Sequence, residues 1–307
     1  MNKRLIPFLL FISLALSACS SQTTQTEKNA AKAEDKPTTI TYQSENGPVE
    51  VPANPQRVVV LSTFAGNVMA LKVNLVGVDS WSKMNPRFET TLKAAQEVSD
   101  ESLEKLIELK PDLIIGLSSV KNVDKLKQIA PTVTYTYGKV DYLTQHLEIG
   151  KLLNKEKEAQ AWITDFKNRA QNAGEDIKTK IGADKTISVV ENFDKQLYVF
   201  GNNWGRGTEI LYQEMKLEMP KKVKEMALKA GYYALSLEVL PEYAGDYVIF
   251  SKNTDTDNSF QQTDTYKNIP AVKNKQVFEV NAKEFYFNDP QTLEYQLDFF
   301  VKNLGSK

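Results

Sequence analysis

Apolar residues along this chain come in short β-rich bursts, separated by stretches where they recur every three or four positions. "RVVVLSTF", "NLVGVDS", "DLIIGLS" and "TVTYTYG" are bursts of the first kind, and helical patterns such as "NVMALKV" and "NVDKLKQIA" fall among them. Strands alternating with helices predict a mainly parallel sheet. "TISVVEN", "LYVFG", "DYVIFS" and "QVFEVN" repeat the arrangement in the second half. Ahead of the first burst, "TITYQSENGPVEVP" (39–52) is two alternating runs around Asn46-Gly47, a hairpin signal.

Between the halves the period changes. From Lys155 to Ile181, apolar residues fall at Ala159, Trp162, Ile163, Phe166, Ala170, Ala173, Ile177 and Ile181, with no Pro among them. That spacing predicts one long amphipathic helix, roughly 40 Å at 1.5 Å per residue, long enough to lie along two lobes. The expected fold class is α/β, with two α/β lobes joined by a single long helix. The first lobe covers 39–140, the connecting helix 141–182 and the second lobe 183–307.

The halves also echo each other. "SLEKLIELKPDLII" begins at Ser102 and "SLEVLPEYAGDYVI" at Ser236, each with Leu at the fifth position and Asp ten residues after the Ser. Ser before a helix with Glu in its first turn is N-cap chemistry. Two copies at one internal spacing predict two similar lobes, each placing a Glu (Glu104, Glu238) on the same edge.

The first residues change the picture of where the chain works. Lys3 and Arg4 precede an apolar run from Leu5 to Leu16 that ends in "LSAC". This is an export signal, too short for a spanning helix of ~20 residues. Residues 1–18 are read as the signal peptide. Cys19 is the single Cys of the chain, so an intramolecular disulfide is impossible. Residues 20–38 contain no large apolar side chain, and 19–38 read as a flexible tether. The full chain has a formal net charge of −1, and losing Lys3 and Arg4 makes it slightly more acidic. Nothing in it forms a basic stripe for nucleic acid.

Metal-ligating chemistry is scarce. One His (His146) and one Cys cannot build a site for bare zinc, manganese or iron. His146 sits in "YLTQHLEIG" and is read as a solvated residue on a polar helix face. The region 254–260 imitates a calcium loop, but Phe260 stands where Gly is required and Tyr266 where Glu is required, so it is read as a polar surface loop. No GxSxG, HExxH or serine–lysine signature points to a hydrolase. "QLYVFGNNWGRGTEILY" (196–212) is the remaining candidate site. Its glycines lack the Lys of a P-loop and the third Gly of a dinucleotide fold. It offers Trp204 and Arg206 in a glycine-bracketed turn: a flat aromatic and a fixed cation.

The chain resembles the lipid-anchored siderophore-binding proteins of bacterial iron-uptake ABC transporters, most closely the ferric-hydroxamate (ferrichrome-type) members. "LYVFGNNWGRGTEILYQ", "AGYYALSLEVLPEYAGDY", "KPDLIIG" and "EFYFNDPQTL" carry the likeness. The lipobox-like "LSAC" implies acylation of Cys19 and attachment to the extracytoplasmic face of the membrane. The resemblance implies a ligand held between two lobes, contacted by Tyr137, Tyr198, Trp204, Arg206, Tyr286 and Phe287. Relatives more often carry Trp and Tyr at the last two positions, so packing is expected of Phe287 without a hydrogen bond. Glu104 and Glu238 are implied to dock on arginines of the permease. The implied partners are a ferric hydroxamate, an ABC permease and the membrane; the protein is expected to be a monomer that takes no nucleic acid. It is expected to be no enzyme and to bind no cofactor directly, its iron(III) arriving inside the chelate.

These residue types suit that ligand. A hydroxamate chelate saturates iron with six oxygens and presents a compact rim of oxygens and methylenes at low net charge. Trp and Tyr supply rigid apolar contact with a polar handle, and Arg donates to closely spaced oxygens without losing its proton. Gly205 and Gly207 are expected to bring Arg206 close to the ligand. A catecholate complex, with about three negative charges, favours several clustered cations. The alternatives are receptors for a catecholate siderophore, ferric citrate or cobalamin, and an exported hydrolase.

Overall fold

A computed structural model describes residues 38–305. Cys19, the signal peptide and nearly all of the tether lie outside them. The hairpin forms first, with β1 (Thr39–Ser44) antiparallel to β2 (Gly47–Pro52). Its turn residues are Glu45 and Asn46, one position earlier than expected, because Ser44 pairs with Gly47.

The first-half bursts become β3 (Val58–Val60), β4 (Leu75–Val78), β5 (Gln96–Glu97), β6 (Leu113–Leu117) and β7 (Thr132–Tyr135). They form one parallel sheet in the order β5-β4-β3-β6-β7. Strand side chains alternate between faces. Val58, Val60, Leu113 and Ile115 therefore enter one buried cluster, and Val59 and Ile114 enter the cluster on the other face. Helices α1 (Ala65–Ala70), α2 (Ser80–Met84), α3 (Leu103–Leu109) and α4 (Val123–Ile129) connect them. Two apolar faces covered by helices are what a parallel sheet requires.

The second lobe is built on β8 (Ile187–Phe193), β9 (Gln196–Phe200), β10 (Tyr232–Leu235), β11 (Tyr247–Lys252) and β12 (Val277–Asn281), in the order β10-β9-β8-β11-β12. It departs from the expected pattern at β9, which runs against its neighbours β8 and β10. The cause is the two-residue connection Asp194-Lys195, with φ of 47° and 66°. Two left-handed residues make a tight hairpin turn and leave no room for a crossover helix.

Segment 141–182 holds two helices, α5 (Tyr142–Leu152) and α6 (Glu156–Ile181). The 26 residues of α6 span about 39 Å. Glu156 and Glu158 stand in its first turn and Lys178 and Lys180 in its last, which suits the helix dipole at both ends. Ala159 enters the core of the first lobe, while Phe166, Ala170 and Ile177 enter that of the second. One continuous helix thus contributes to both cores. The C-terminal helix (Pro290–Leu304) adds a second tie. Its N-cap, Asp289, is buried and accepts from the amides of Gln291 and Thr292. Burial pushes that carboxyl up to about 6. A Cβ on Gly66 of α1 would lie 1.9 Å from Asp289 Oδ1, so this close approach of the first lobe to the cap requires a glycine.

His146 is not solvated. It is buried on α5, its Nδ1 lies 3.1 Å from Asn67 Oδ1, and its ring meets Trp162 edge-on at 5.2 Å. Its position three after Leu143 and three before Ile149, both buried, puts it on the inner face of the helix. Burial lowers its pKa to about 4, so the ring is neutral.

Candidate functional site

Register in the second sheet assembles one half of the site. Glu191 on β8 pairs with Tyr198 on β9 and with Ser251 on β11, so all three face the same way in one row. Phe200, two residues beyond Tyr198, shares that face. Glu191 is fully buried, and a buried carboxylate needs a partner. Ser251 Oγ donates to its Oε2 at 2.9 Å, and Arg206 Nε donates to the same oxygen at 2.8 Å.

The turn that delivers Arg206 is left-handed at three consecutive residues, with φ of 68° at Gly205, 57° at Arg206 and 83° at Gly207. Only the glycines adopt this without cost. A Cβ on Gly205 would sit 2.2 Å from the Tyr286 carbonyl oxygen, and one on Gly207 would sit 2.5 Å from the Phe300 ring. The Arg206 amide donates to Phe285 O at 2.7 Å. The glycines therefore serve a close dock of this turn on the C-terminal loop and helix, and the docked turn carries Arg206 to the cavity wall.

Arg206 itself is an ion-paired residue on the cavity wall. Nη2 lies 3.4 Å from Glu191 Oε1, and Nη1 donates to the Trp204 carbonyl at 3.1 Å. The guanidinium stands 4.8 Å from the Phe200 ring centre and 4.7 Å from that of Tyr286. With Nε engaged as well, two of its five N–H groups remain for another acceptor.

All six ligand-contact candidates, Tyr137, Tyr198, Trp204, Arg206, Tyr286 and Phe287, line a single cavity of about 430 Å³. From the first lobe, Thr63, Trp81 and Tyr137 reach it from beyond the C-terminal ends of β3, β4 and β7, the usual ligand edge of a parallel sheet. Tyr137 meets Trp204 edge-on at 5.9 Å, and Trp81 stacks on Phe193 at 6.3 Å and meets Tyr286 edge-on at 5.5 Å, so aromatic contacts bridge the lobes. Trp81, Tyr137 and Tyr232 are exposed. Phe287 is buried and stacks on Phe88 of the first lobe at 5.8 Å. It packs, as its ring alone allows. Burial raises the Tyr286 phenol, which keeps it protonated as a donor.

Sequence reasoning missed Trp81, Phe193, Phe200 and Tyr232 in this wall, and Glu191 behind it. The signal for Glu191 was present: one carboxylate inside the apolar run "TISVVEN" demands a buried cation.

Glu104 and Glu238 lie elsewhere. Each is exposed, and each follows an edge strand of its sheet, β5 and β10 respectively. The expected capping does not form, since neither Ser102 nor Ser236 accepts from a helix amide. The Ser236 hydroxyl bonds the Glu238 carboxylate and holds it below the usual carboxylate range. Glu104 stands in the first turn of α3, whereas Glu238 occupies a three-residue 3-10 turn.

The sequence pattern of the family described as "Periplasmic binding protein" matches residues 58–284. The chain belongs to that family. It is 36% identical over 304 residues to the iron(3+)-hydroxamate-binding protein FhuD of Bacillus subtilis, covering 97% of this chain and 96% of that one. The FhuD protein from S. pseudintermedius superposes with a TM-score of 0.79 at 36% identity, over 88% of this chain and 99% of the other. FhuD2 from Staphylococcus aureus with bound ferrioxamine B gives 0.78 at 34% identity, over 82% and 98%. Those neighbours share the two α/β lobes and the long helix. Among the described residues of this periplasmic binding protein, no group of three or more His, Cys, Asp or Glu is placed to hold a metal ion. No described helix is long and apolar enough to cross a membrane.

Proposed function

We propose that this protein is an extracytoplasmic receptor that binds an iron(III)-hydroxamate siderophore in the inter-lobe aromatic cavity and delivers it to an ABC permease. One observation carries the choice of ligand class. The cavity has a single guanidinium in its wall, and that charge is already matched by the buried Glu191. An aromatic site of near-zero net charge fits a compact complex of low charge. The chelate supplies every ligand to its iron, so the protein need only hold the rim. Rings of Trp204, Tyr198 and Trp81 cover methylene surface, and the two remaining N–H groups of Arg206 meet rim oxygens. The names of the relatives agree with this reading. Binding and handover need no chemical step, and the protein acts as a monomer and no enzyme.

Selectivity tests the reading. In competition, a tris-catecholate complex of the same iron should bind at least about tenfold more weakly than ferrioxamine B, because its charge meets no uncompensated cation. Equal or tighter binding of the catecholate would overturn the assignment.

Attachment to the membrane through an acylated Cys19 completes the proposal, motivated by "LSAC" and the tether without large apolar side chains. Mass spectrometry of the protein from its native membrane should find residue 19 at the N-terminus carrying lipid, and Cys19→Ala should abolish it. An unmodified Cys19 would refute the anchor.

A further inference from the structure

A second cavity of about 540 Å³ adjoins the aromatic one, and Thr63, Tyr137 and Trp204 line both. The Tyr137–Trp204 pair is therefore a partition with space on either side. The far side has a different chemistry: it is lined by the carboxamides of Asn67, Gln145, Asn202, Asn203, Gln213 and Asn288. Its charged groups are balanced, with Lys139 and Lys229 set against Asp141 and Glu209. Lys139 is paired with Glu45 at 3.2 Å, and Asp141 caps α5. Glu209 is buried and receives the Gly205 amide at 3.0 Å and Asn288 Nδ2 at 2.9 Å.

Several amide atoms stay unspent. Gln145 Nε2 is buried and has no hydrogen-bond partner. Asn288 donates to Glu209 and keeps its carbonyl, while Asn67 meets His146 through its carbonyl and keeps its NH₂. Buried amide atoms without partners are uncommon, and each one costs stability unless something bonds to it. A wall of primary amides offers donors and acceptors without charge. Its complement is a neutral group that carries both, such as a secondary amide or a hydroxyl. The aromatic cavity, at about 430 Å³, is near the lower end of the roughly 300–1,000 Å³ of small-molecule sites. That is small for a chelate whose organic strap wraps three hydroxamates around iron.

We propose that the amide-lined chamber is a second subsite for the same ligand, taking the amide- and hydroxyl-bearing strap while the aromatic cavity takes the iron centre. This rests on the receptor reading and deepens it. The chamber then makes the protein selective for strapped hydroxamates over bare ones.

The test compares ferrioxamine B, whose hydroxamates are joined by amide-containing chains, with ferric tris(acetohydroxamate), which has the same iron coordination and no strap. Gln145→Leu removes an amide whose Nε2 has no protein partner, so folding should be intact, as a thermal melt will verify. Gln145→Trp fills the chamber. Ferrioxamine B affinity should fall roughly two- to tenfold in the Leu variant, the worth of one hydrogen bond, and further in the Trp variant. Affinity for ferric tris(acetohydroxamate) should stay at the wild-type value in both. Unchanged ferrioxamine B binding in the Leu variant, or an equal loss for the two chelates, would overturn the subsite. Failure of the wild type to bind either complex would instead overturn the receptor reading from which it starts.

Discussion

Arg206→Ala is expected to lose both stability and affinity, and the two losses are separable. The Glu191 carboxylate is fully buried and the Arg206 side chain 13% exposed, so removing the cation strands a charge in the interior. Breaking a buried pair in this way costs about 3–5 kcal/mol, which a melt or a denaturant midpoint will register. Neutralising the stranded group as well, in Arg206→Ala/Glu191→Gln, should recover most of that stability, since Gln can still accept from Ser251. Siderophore affinity should not recover. Loss of a charge-assisted hydrogen bond worth ~1.5–3 kcal/mol weakens binding roughly 10–150-fold. Trp204→Ala should cost a similar or smaller factor through lost ring contact. Arg206→Lys should restore little, because an ammonium cannot serve two Glu191 oxygens, the Trp204 carbonyl and a ligand together. A well-folded double variant that binds like wild type would make Arg206 a structural residue only.

Iron uptake should collapse in Glu104→Ala/Glu238→Ala cells while siderophore affinity of the purified variant stays near wild type. Both carboxylates are exposed and neither lines the cavity, so neither can contribute more than a distant, screened charge to binding. Each follows the edge strand of its own lobe, β5 or β10, which makes them equivalent positions in a duplicated architecture. A pair of such charges suits a partner with two matching cations. Exposed charges govern encounter and register more than they govern folding, so melting should hardly change. Each single variant should lose part of the uptake. A large loss of affinity with transport intact would sink the docking role.

The parts legible in the sequence were those set by local period. The 3.6-residue spacing in α6 and the β-rich bursts gave their elements because each depends on neighbours along the chain. The six cavity residues were named from motif resemblance, and the fold brings them around one cavity, Tyr137 from the first lobe and the others from the second. The Arg206–Glu191 pair was not visible because it depends on strand register across a hairpin, and that hairpin turns on Asp194-Lys195, a pair without the usual Gly or Asn signal. His146 was misread because its neighbours Gln145 and Glu148 are polar, while the buried face of α5 runs through Leu143, His146 and Ile149. Trp81 and Phe193 come from opposite lobes, so only the packing of the lobes makes them a pair.

The central claim is that the aromatic cavity between the lobes holds a ferric hydroxamate. Of the three tryptophans, Trp81 and Trp204 line that cavity, while Trp162 stacks on Phe166 of α6. Titration of intrinsic fluorescence with ferrioxamine B should show saturable quenching. The gallium(III) complex, of the same shape and charge but without visible absorption, should displace the iron complex and restore the signal. In Trp81→Phe/Trp204→Phe, where Trp162 remains, most of the quenching amplitude should vanish while gallium displacement, followed with radiolabelled iron, still reports binding. Absence of saturable quenching in the wild type, or quenching of undiminished amplitude from Trp162 alone, would place the ligand elsewhere and contradict the account.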